Sequence, residues 1–362
     1  MPQEPSTPLE GQGVPARWWS LEEDKAVCWL CPRYCRIGEG QSGFCFIRAN
    51  HGGALVSLGY GRPAAVQIDP IEKKPLNHFM PGARILSMGT AGCNMGCKFC
   101  QNWDISKSRQ DQVRSIDLSP RAVVAEAIEL GCPALAFTYN EPTIWGEYVI
   151  DISRLARDRG LKSVMVTNGY ITLRALPEVY EFVDAANVDL KAFTEEFYRK
   201  VTLTHIQPVL DALVALQKRG VWLEITNLVI PELNDAIGET RDLAKWILDH
   251  MGDEVPLHFT AFHPDFKLDD LPGTPRETIE AARLEALALG LKHVYVGNVH
   301  SSEGSTTWCP SCGRAVIRRS WHRVEENLLR DGSCPCGRKI AGYFPPPAGP
   351  GPARRRPAPA LQ

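Results

Sequence analysis

Seven short runs of β-branched and apolar residues recur through the middle of the chain. They are Ile85–Thr90, Ala134–Tyr139, Ser163–Asn168, Ala185–Lys191, Val221–Val229, Pro256–Phe262 and His293–Asn298. The stretches between them carry apolar residues at helical spacing. Gly131, Gly160, Gly220 and Gly290 each close such a stretch just before a strand, where a left-handed residue ends a helix. Ser119-Pro120 and Thr274-Pro275 read as an N-cap followed by the first helical position. Regular alternation of strand and helix implies a parallel sheet with helices outside it. Six or seven such steps over about 215 residues predict an α/β fold, a partial or complete parallel β/α barrel. An open doubly wound sheet is the alternative. A barrel gathers its chemistry at the C-terminal ends of its strands. Polar residues collect there: the loop with Cys93, then Asn140-Glu141, Asn168, Asp189 and Lys191, Asn227, His263 and Asn298.

Composition narrows the function classes. The 362 residues carry a formal net charge of −2, with 44% apolar residues. Near-neutrality and the lack of a basic stripe argue against a nucleic-acid partner or an anionic membrane surface. No run approaches the roughly 20 apolar residues of a membrane helix. The first residues, MPQEPSTPLEGQGVP, lack the apolar stretch of a secretory signal, so a cytoplasmic protein is expected. Residues 1–24 and the Pro-rich 345–362, with its Arg354–Arg356 triplet, are expected to be disordered.

Twelve cysteines in a reducing compartment are not a disulfide framework; they bind metal or do chemistry. Cys132 stands alone and reads as a small buried hydrophobe. The other eleven form three groups. Cys93, Cys97 and Cys100 are spaced C-x3-C-x2-C directly after a strand. Three thiolates in one loop can hold three irons of a [4Fe–4S] cluster and leave the fourth open. A structural zinc site would ask for a fourth protein ligand. Gly92 and Gly96 let the loop wrap closely, and Phe99 offers an aromatic wall. Cys28, Cys31, Cys35 and Cys45 could close a zinc site or hold an auxiliary iron–sulfur cluster. Cys309, Cys312, Cys334 and Cys336 read as two knuckles of a zinc-ribbon-like module, the second C-x-C rather than C-x2-C.

C-x3-C-x2-C after the first barrel strand resembles the radical S-adenosylmethionine (radical SAM) superfamily. Tyr139-Asn140-Glu141-Pro142 stands where that family carries a Gly-Gly-Glu-Pro-like motif. Thr167-Asn168-Gly169 and Asp189-Leu190-Lys191 resemble motifs of the glycyl-radical-enzyme activases. IEKKPL at Ile71–Leu76, His78-Phe79, CQNWDIS, TYNEPT, VTNGY, DLKAF, NLVIPELND and VYVGN occur in order. Together with the flanking cysteines they resemble the AmmeMemoRadiSam system radical SAM enzymes, relatives of the pyruvate formate-lyase activating enzymes.

That resemblance implies a [4Fe–4S] cluster on Cys93, Cys97 and Cys100, its open iron binding the amino and carboxylate groups of S-adenosylmethionine. It implies reductive cleavage to a 5′-deoxyadenosyl radical that abstracts hydrogen. Glu141 would accept from the ammonium of S-adenosylmethionine and Lys191 would pair with its carboxylate. Asn140, Asn168 and Asp189 would complete the cofactor site. The substrate expected is a protein or peptide, as in activases, with a reductant such as flavodoxin or ferredoxin. A small-molecule substrate and a non-enzymatic metal scaffold are the alternatives. The expected domains are a Cys-rich module at 25–75, a radical SAM barrel at 76–300 and the zinc-ribbon-like module at 301–344.

Overall fold

The computed structural model describes residues 13–346. Its centre is an eight-stranded sheet. Seven parallel strands follow one another in chain order: Arg84–Gly89, Ala134–Phe137, Lys162–Thr167, Ala185–Asp189, Trp222–Val229, Leu257–Ala261 and Val294–Gly297. Every apolar run picked from the sequence is a strand. Strand order without a reversal is that of a barrel; a doubly wound sheet would reverse at a switch point. The barrel is partial, because strand Ala65–Pro70 pairs antiparallel along the first parallel strand (Ala65 opposite Gly89, Pro70 opposite Arg84) and ends the sheet there. This strand was expected within the N-terminal module, and it joins the barrel instead.

Helices Pro120–Glu129, Gly146–Asp158, Gln207–Lys218, Ile237–Met251 and Arg276–Leu289 cover the outer face. Leu86, Met88, Leu135, Phe137, Met165 and Val188 point toward them, in the main apolar core. Their alternates along the same strands face inward, where Ile85, Ala134, Ala136, Val164 and Ala185 form a smaller core. Local signals behaved as their chemistry dictates. Ser119 Oγ accepts from Ala122 N at 3.2 Å, and the four helix-closing glycines all have positive φ. Thr274 is an exception. Its hydroxyl donates to Val229 O at 2.6 Å and accepts from Phe262 N at 2.9 Å, bracing two strand ends rather than capping a helix.

The segment after the edge strand closes the barrel's bottom. Asn77 N and His78 N donate to the two carboxylate oxygens of Glu224 at 2.9 and 2.7 Å, and His258 Nε2 reaches the same carboxylate at 2.7 Å. Asn187 Nδ2 donates to Pro75 O at 2.9 Å. The IEKKPLNHF stretch is thus a plug held by side chains projecting into the barrel.

Two small modules flank the barrel. At the N-terminus, strands Trp19–Glu22, Lys25–Cys28 and Arg36–Ile37 form one sheet, and Val14–Pro15, Ala54–Ser57 and Arg48–His51 another. Residues 13–24 are therefore ordered, against expectation: Val14 is 1% and Trp18 3% exposed, apolar anchors that the Pro- and Glu-rich composition obscured. Residues 1–12 and 347–362, most of the two expected disordered ends, lie outside the described residues. At the C-terminus, Thr307–Trp308, Ala315–Ser320 and Arg323–Asn327 form a three-stranded sheet. It docks on the plug: Arg319 Nη2 donates to Asn77 O at 2.7 Å, and Tyr343 N to His78 O at 2.8 Å. Among the described residues no helix is long and apolar enough to cross a membrane.

Glu224 is fully buried, and its stability role is directly measurable. Glu224→Gln, which sets an amide N–H against backbone donors, should lower stability by about 3 kcal/mol in urea unfolding. Glu196→Gln, which breaks the exposed pair with Lys200, should leave the unfolding midpoint unchanged in the same assay.

Candidate functional site

The cysteine loop leaves the first parallel strand at Gly89 and is fixed by backbone approach on both sides. Gly92 has φ +81°, and a Cβ there would lie 2.0 Å from the carbonyl oxygen of Cys45. A Cβ on Gly96 would lie 2.7 Å from Leu203 Cδ1. The glycines noted from the sequence are therefore required by proximity. Gly96 N donates to Thr202 O at 2.8 Å and Lys98 N to Val201 O at 3.0 Å, tying the loop to the segment after the fourth strand. Cys93 and Cys100 are partly exposed and Cys97 is buried. Phe99, expected as a wall of the site, is buried and packs on Phe197 at 6.1 Å between ring centroids.

Asn140 latches this loop to the second strand. Its Nδ2 donates to Thr90 O at 2.9 Å and Gly92 O at 2.7 Å, and its Oδ1 accepts from Thr90 N at 3.2 Å. Glu141 is 1% exposed, and its carboxylate accepts from Thr143 N (2.8 Å), Thr167 Oγ1 (2.8 Å) and Asn168 N (2.7 Å). Burial pushes its carboxyl up, partly offset by these donors. The residue expected to meet the ammonium is thus already engaged in binding the second strand end to the third. Asn168 lies beside the cysteines: its Nδ2 donates to Asn94 Oδ1 at 2.9 Å and stands 3.9 Å from Cys93 Sγ.

Asp189 ends the fourth parallel strand and Lys191 lies just past it; the two form an ion pair at 2.7 Å. Burial would lower the Lys191 ammonium, but Asp189 and the nearby thiols outweigh it and raise it. Lys191 also lies 5.8 Å from the centroid of Phe99. On the other flank, Lys107 Nζ donates to Met95 O at 2.7 Å, inside the loop. Burial pushes the Cys97 thiol up to about 11, with Lys191 pulling the other way, and pushes Cys93 up against Lys107. These thiols stay protonated until a metal displaces their protons. Two partly exposed thiols, one buried one and two lysines on the flanks fit a polynuclear cluster of net negative charge. Of the other strand-end residues, Asn227 and Asn298 donate to Leu190 O and Ala261 O and so hold loops, while His263 is exposed.

One polar group escaped the sequence reading. Tyr139, with φ +71°, directs its hydroxyl to Asp69 Oδ2 at 2.6 Å, and Lys74 Nζ meets the same oxygen at 2.6 Å. Burial alone would raise Asp69; hydrogen bonds from Lys74 and Tyr139 reverse this and hold it well below the usual carboxylate range. Lys74 is 2% exposed. The signal was Lys74 within IEKKPL, but its partner Asp69 lies on a strand no pattern identified.

Lys73 also reaches Asp69, at 3.0 Å, and lines a groove between the sheet's two unpaired edges. This open groove, of roughly 380 Å³, runs from His258 and Thr260 inside the barrel to Trp321 and His322 of the C-terminal module.

The four C-terminal cysteines converge. Cys309 and Cys336 Sγ are 3.6 Å apart, Cys312 and Cys334 Sγ 3.7 Å, and all four sulfurs lie within 4.8 Å of one another. Among the described residues this is the one such set of three or more potential ligands. The C-x-C knuckle therefore closes as well as C-x2-C: Cys334 N donates to Arg338 O and Gly337 N to Cys334 O, both at 2.8 Å.

Comparison with known proteins agrees with this geometry. The family model described as Radical SAM superfamily matches residues 88–244, from the end of the first parallel strand into the helix Ile237–Met251. The uncharacterized protein MJ0808 of Methanocaldococcus jannaschii is 45% identical over 302 residues, 83% of this chain and 89% of that one. The pyruvate formate-lyase-activating enzyme of Clostridium pasteurianum is 23% identical over 199 residues, 51% of this chain and 83% of that one. Among solved structures, a radical SAM methyltransferase from Sphaerobacter thermophilus aligns with a TM-score of 0.48 and 15% identity, over 61% of this chain and 68% of that one. The chain belongs to the radical SAM superfamily.

Proposed function

We propose that this protein is a radical SAM enzyme acting on a protein or peptide, with activase-like hydrogen abstraction as its reaction. The observation that carries the reading is the arrangement around Cys93, Cys97 and Cys100. Three thiols on one glycine-fixed loop stand beside the Asp189–Lys191 pair at the mouth of a partial barrel. When bound there, a [4Fe–4S] cluster with S-adenosylmethionine supplies one-electron cleavage of a sulfonium bond and a carbon radical. The electron comes from a carrier such as flavodoxin or ferredoxin.

The chain's own residues do the rest. Cys93, Cys97 and Cys100 would hold the cluster through three thiolates, one fewer than full protein ligation asks for. Lys191, oriented by Asp189, offers an ammonium to a carboxylate. Asn140 and Glu141 tie the first three strand ends together, so the loop cannot drift from the barrel mouth. Asn168 presents an amide N–H toward Cys93 sulfur. The similarity to a pyruvate formate-lyase-activating enzyme supports the choice of substrate class.

At the C-terminal module we propose a structural zinc ion. Zinc with four sulfurs at about 2.3 Å in a tetrahedron sets sulfurs roughly 3.8 Å apart, close to the 3.6 and 3.7 Å found. Cys309 and Cys334 lie in the module's small core with Val316, Ile317 and Ile340, so the ion completes a core too small to stand alone.

Anaerobically reconstituted, reduced protein should convert S-adenosylmethionine to 5′-deoxyadenosine and methionine. Ser replacement of Cys93, Cys97 or Cys100 should abolish the conversion by chromatographic assay; cleavage at the parent rate by all three variants would sink the reading. Gly92→Ala should lower cleavage at least tenfold although every cysteine remains, because its Cβ meets a backbone carbonyl. Gly238→Ala, which meets nothing within 4 Å, should leave it unchanged. One zinc per chain is expected by elemental analysis, and Cys336→Ser should lose it and lower the melting temperature while retaining the iron.

A further inference from the structure

The four N-terminal cysteines are not used by this reading, yet they form a site. Cys28, Cys31, Cys35 and Cys45 all border one small enclosed cavity. Three of them are buried, and Cys35 is partly so. The C-terminal sulfurs converge on a point, as a single ion requires. The N-terminal four do not form such a set; they surround a space.

A buried donor faces that space. Arg48 is 2% exposed and lines the cavity. Its Nη1 donates to both Glu147 oxygens at 3.0 Å and its Nη2 to Arg17 O. Its Nε has no hydrogen-bond partner among the described residues. A buried guanidinium N–H with no acceptor is costly unless something fills the cavity. Glu147 balances the charge of Arg48, so what is missing is an acceptor rather than a countercharge.

The cavity abuts the catalytic loop. Asn94, next in sequence to Cys93, is part of its wall, so consecutive residues, with Cα atoms about 3.8 Å apart, face the two sites. Asn168 Nδ2 touches both Asn94 Oδ1 and Cys93 Sγ. Gly92 packs on the carbonyl of Cys45 itself. Arg33, also in the cavity wall, donates its Nε to Asn94 O and its Nη2 to Leu203 O at 2.7 Å.

From this we infer that Cys28, Cys31, Cys35 and Cys45 hold a second, fully protein-ligated iron–sulfur cluster whose sulfur accepts from Arg48 Nε, in electronic contact with the Cys93 loop. Four ligands leave no corner open, so this site cannot bind S-adenosylmethionine. It is suited to moving one electron: the external one-electron carrier is oxidised by one electron, and the cluster of the Cys93 loop is reduced by one. The transfer role rests on the radical SAM reading, whereas the presence of the second cluster does not.

The test separates the two. The full chain with Cys93, Cys97 and Cys100 all changed to Ala should, after anaerobic reconstitution, keep about four irons and four sulfides. Its reduced form should show an electron paramagnetic resonance signal that S-adenosylmethionine leaves unchanged. The reciprocal variant, Cys31→Ala with Cys45→Ala, should keep the signal that S-adenosylmethionine shifts. In the fully reduced parent protein the two signals should be split or broadened by spin–spin interaction, absent from either variant. Zinc without iron in the triple variant, or no metal there, overturns the second cluster. Two unperturbed signals in the parent protein overturn the contact between them.

Discussion

Asn140 is the pivot of the molecule. One side-chain amide bonds to the backbone at Thr90 and Gly92, on the first strand's exit, while its neighbour Glu141 binds the third strand's exit through Thr167 and Asn168. Three adjacent strand ends are thereby fixed to one another before any metal arrives. Polar groups withdrawn from water are expensive unless satisfied; Asn140 finds backbone atoms of the loop that carries the chemistry, and the Glu141 carboxylate finds Thr143 N, Thr167 Oγ1 and Asn168 N. The departure from a double glycine at this position gains a physical reason. The asparagine side chain supplies hydrogen bonds that a glycine could not.

A second consequence of the partial barrel is its interior. A closed barrel of this size is filled by apolar layers. This one carries Asp69, Lys74, Asn187, Glu224, Thr226 and His258 buried or half-buried on its inner side. The open side must be stopped by something, and two foreign pieces do it: the plug that precedes the first parallel strand, and the C-terminal sheet that rests on the plug. The modules flanking the barrel therefore finish its walls. The N-terminal one seals the loops after the first and third strands, where Thr172 Oγ1 donates to Trp29 O at 2.8 Å.

Much of this was legible in the chain. Each parallel strand announced itself by a compact apolar run, four of them preceded by a helix-closing glycine, because parallel strands are buried on both faces. The three cysteine groups stood out by spacing alone. What stayed hidden was non-local. Strand Ala65–Pro70, AVQIDP, lacks a continuous apolar run, since one side of it is the sheet's edge. The role of Glu224 depends on a plug about 146 residues earlier in the chain. A motif placed Glu141 at the rim, but its hydrogen bonds from Thr143, Thr167 and Asn168 come from neighbours that only the folded strand ends bring near. The order of residues 13–24 was missed because composition outweighed two tryptophans.

The clasp between Tyr343 and the plug has a temporal side. Met80 N donates to Tyr343 O and Tyr343 N to His78 O, both at 2.8 Å, and His78 Nδ1 bonds to Ala341 O, 263 positions away. A ribosome releases the plug long before it makes the strands that clasp it. The nascent barrel must therefore wait, with its base unlatched, until Ala341 and Tyr343 have emerged.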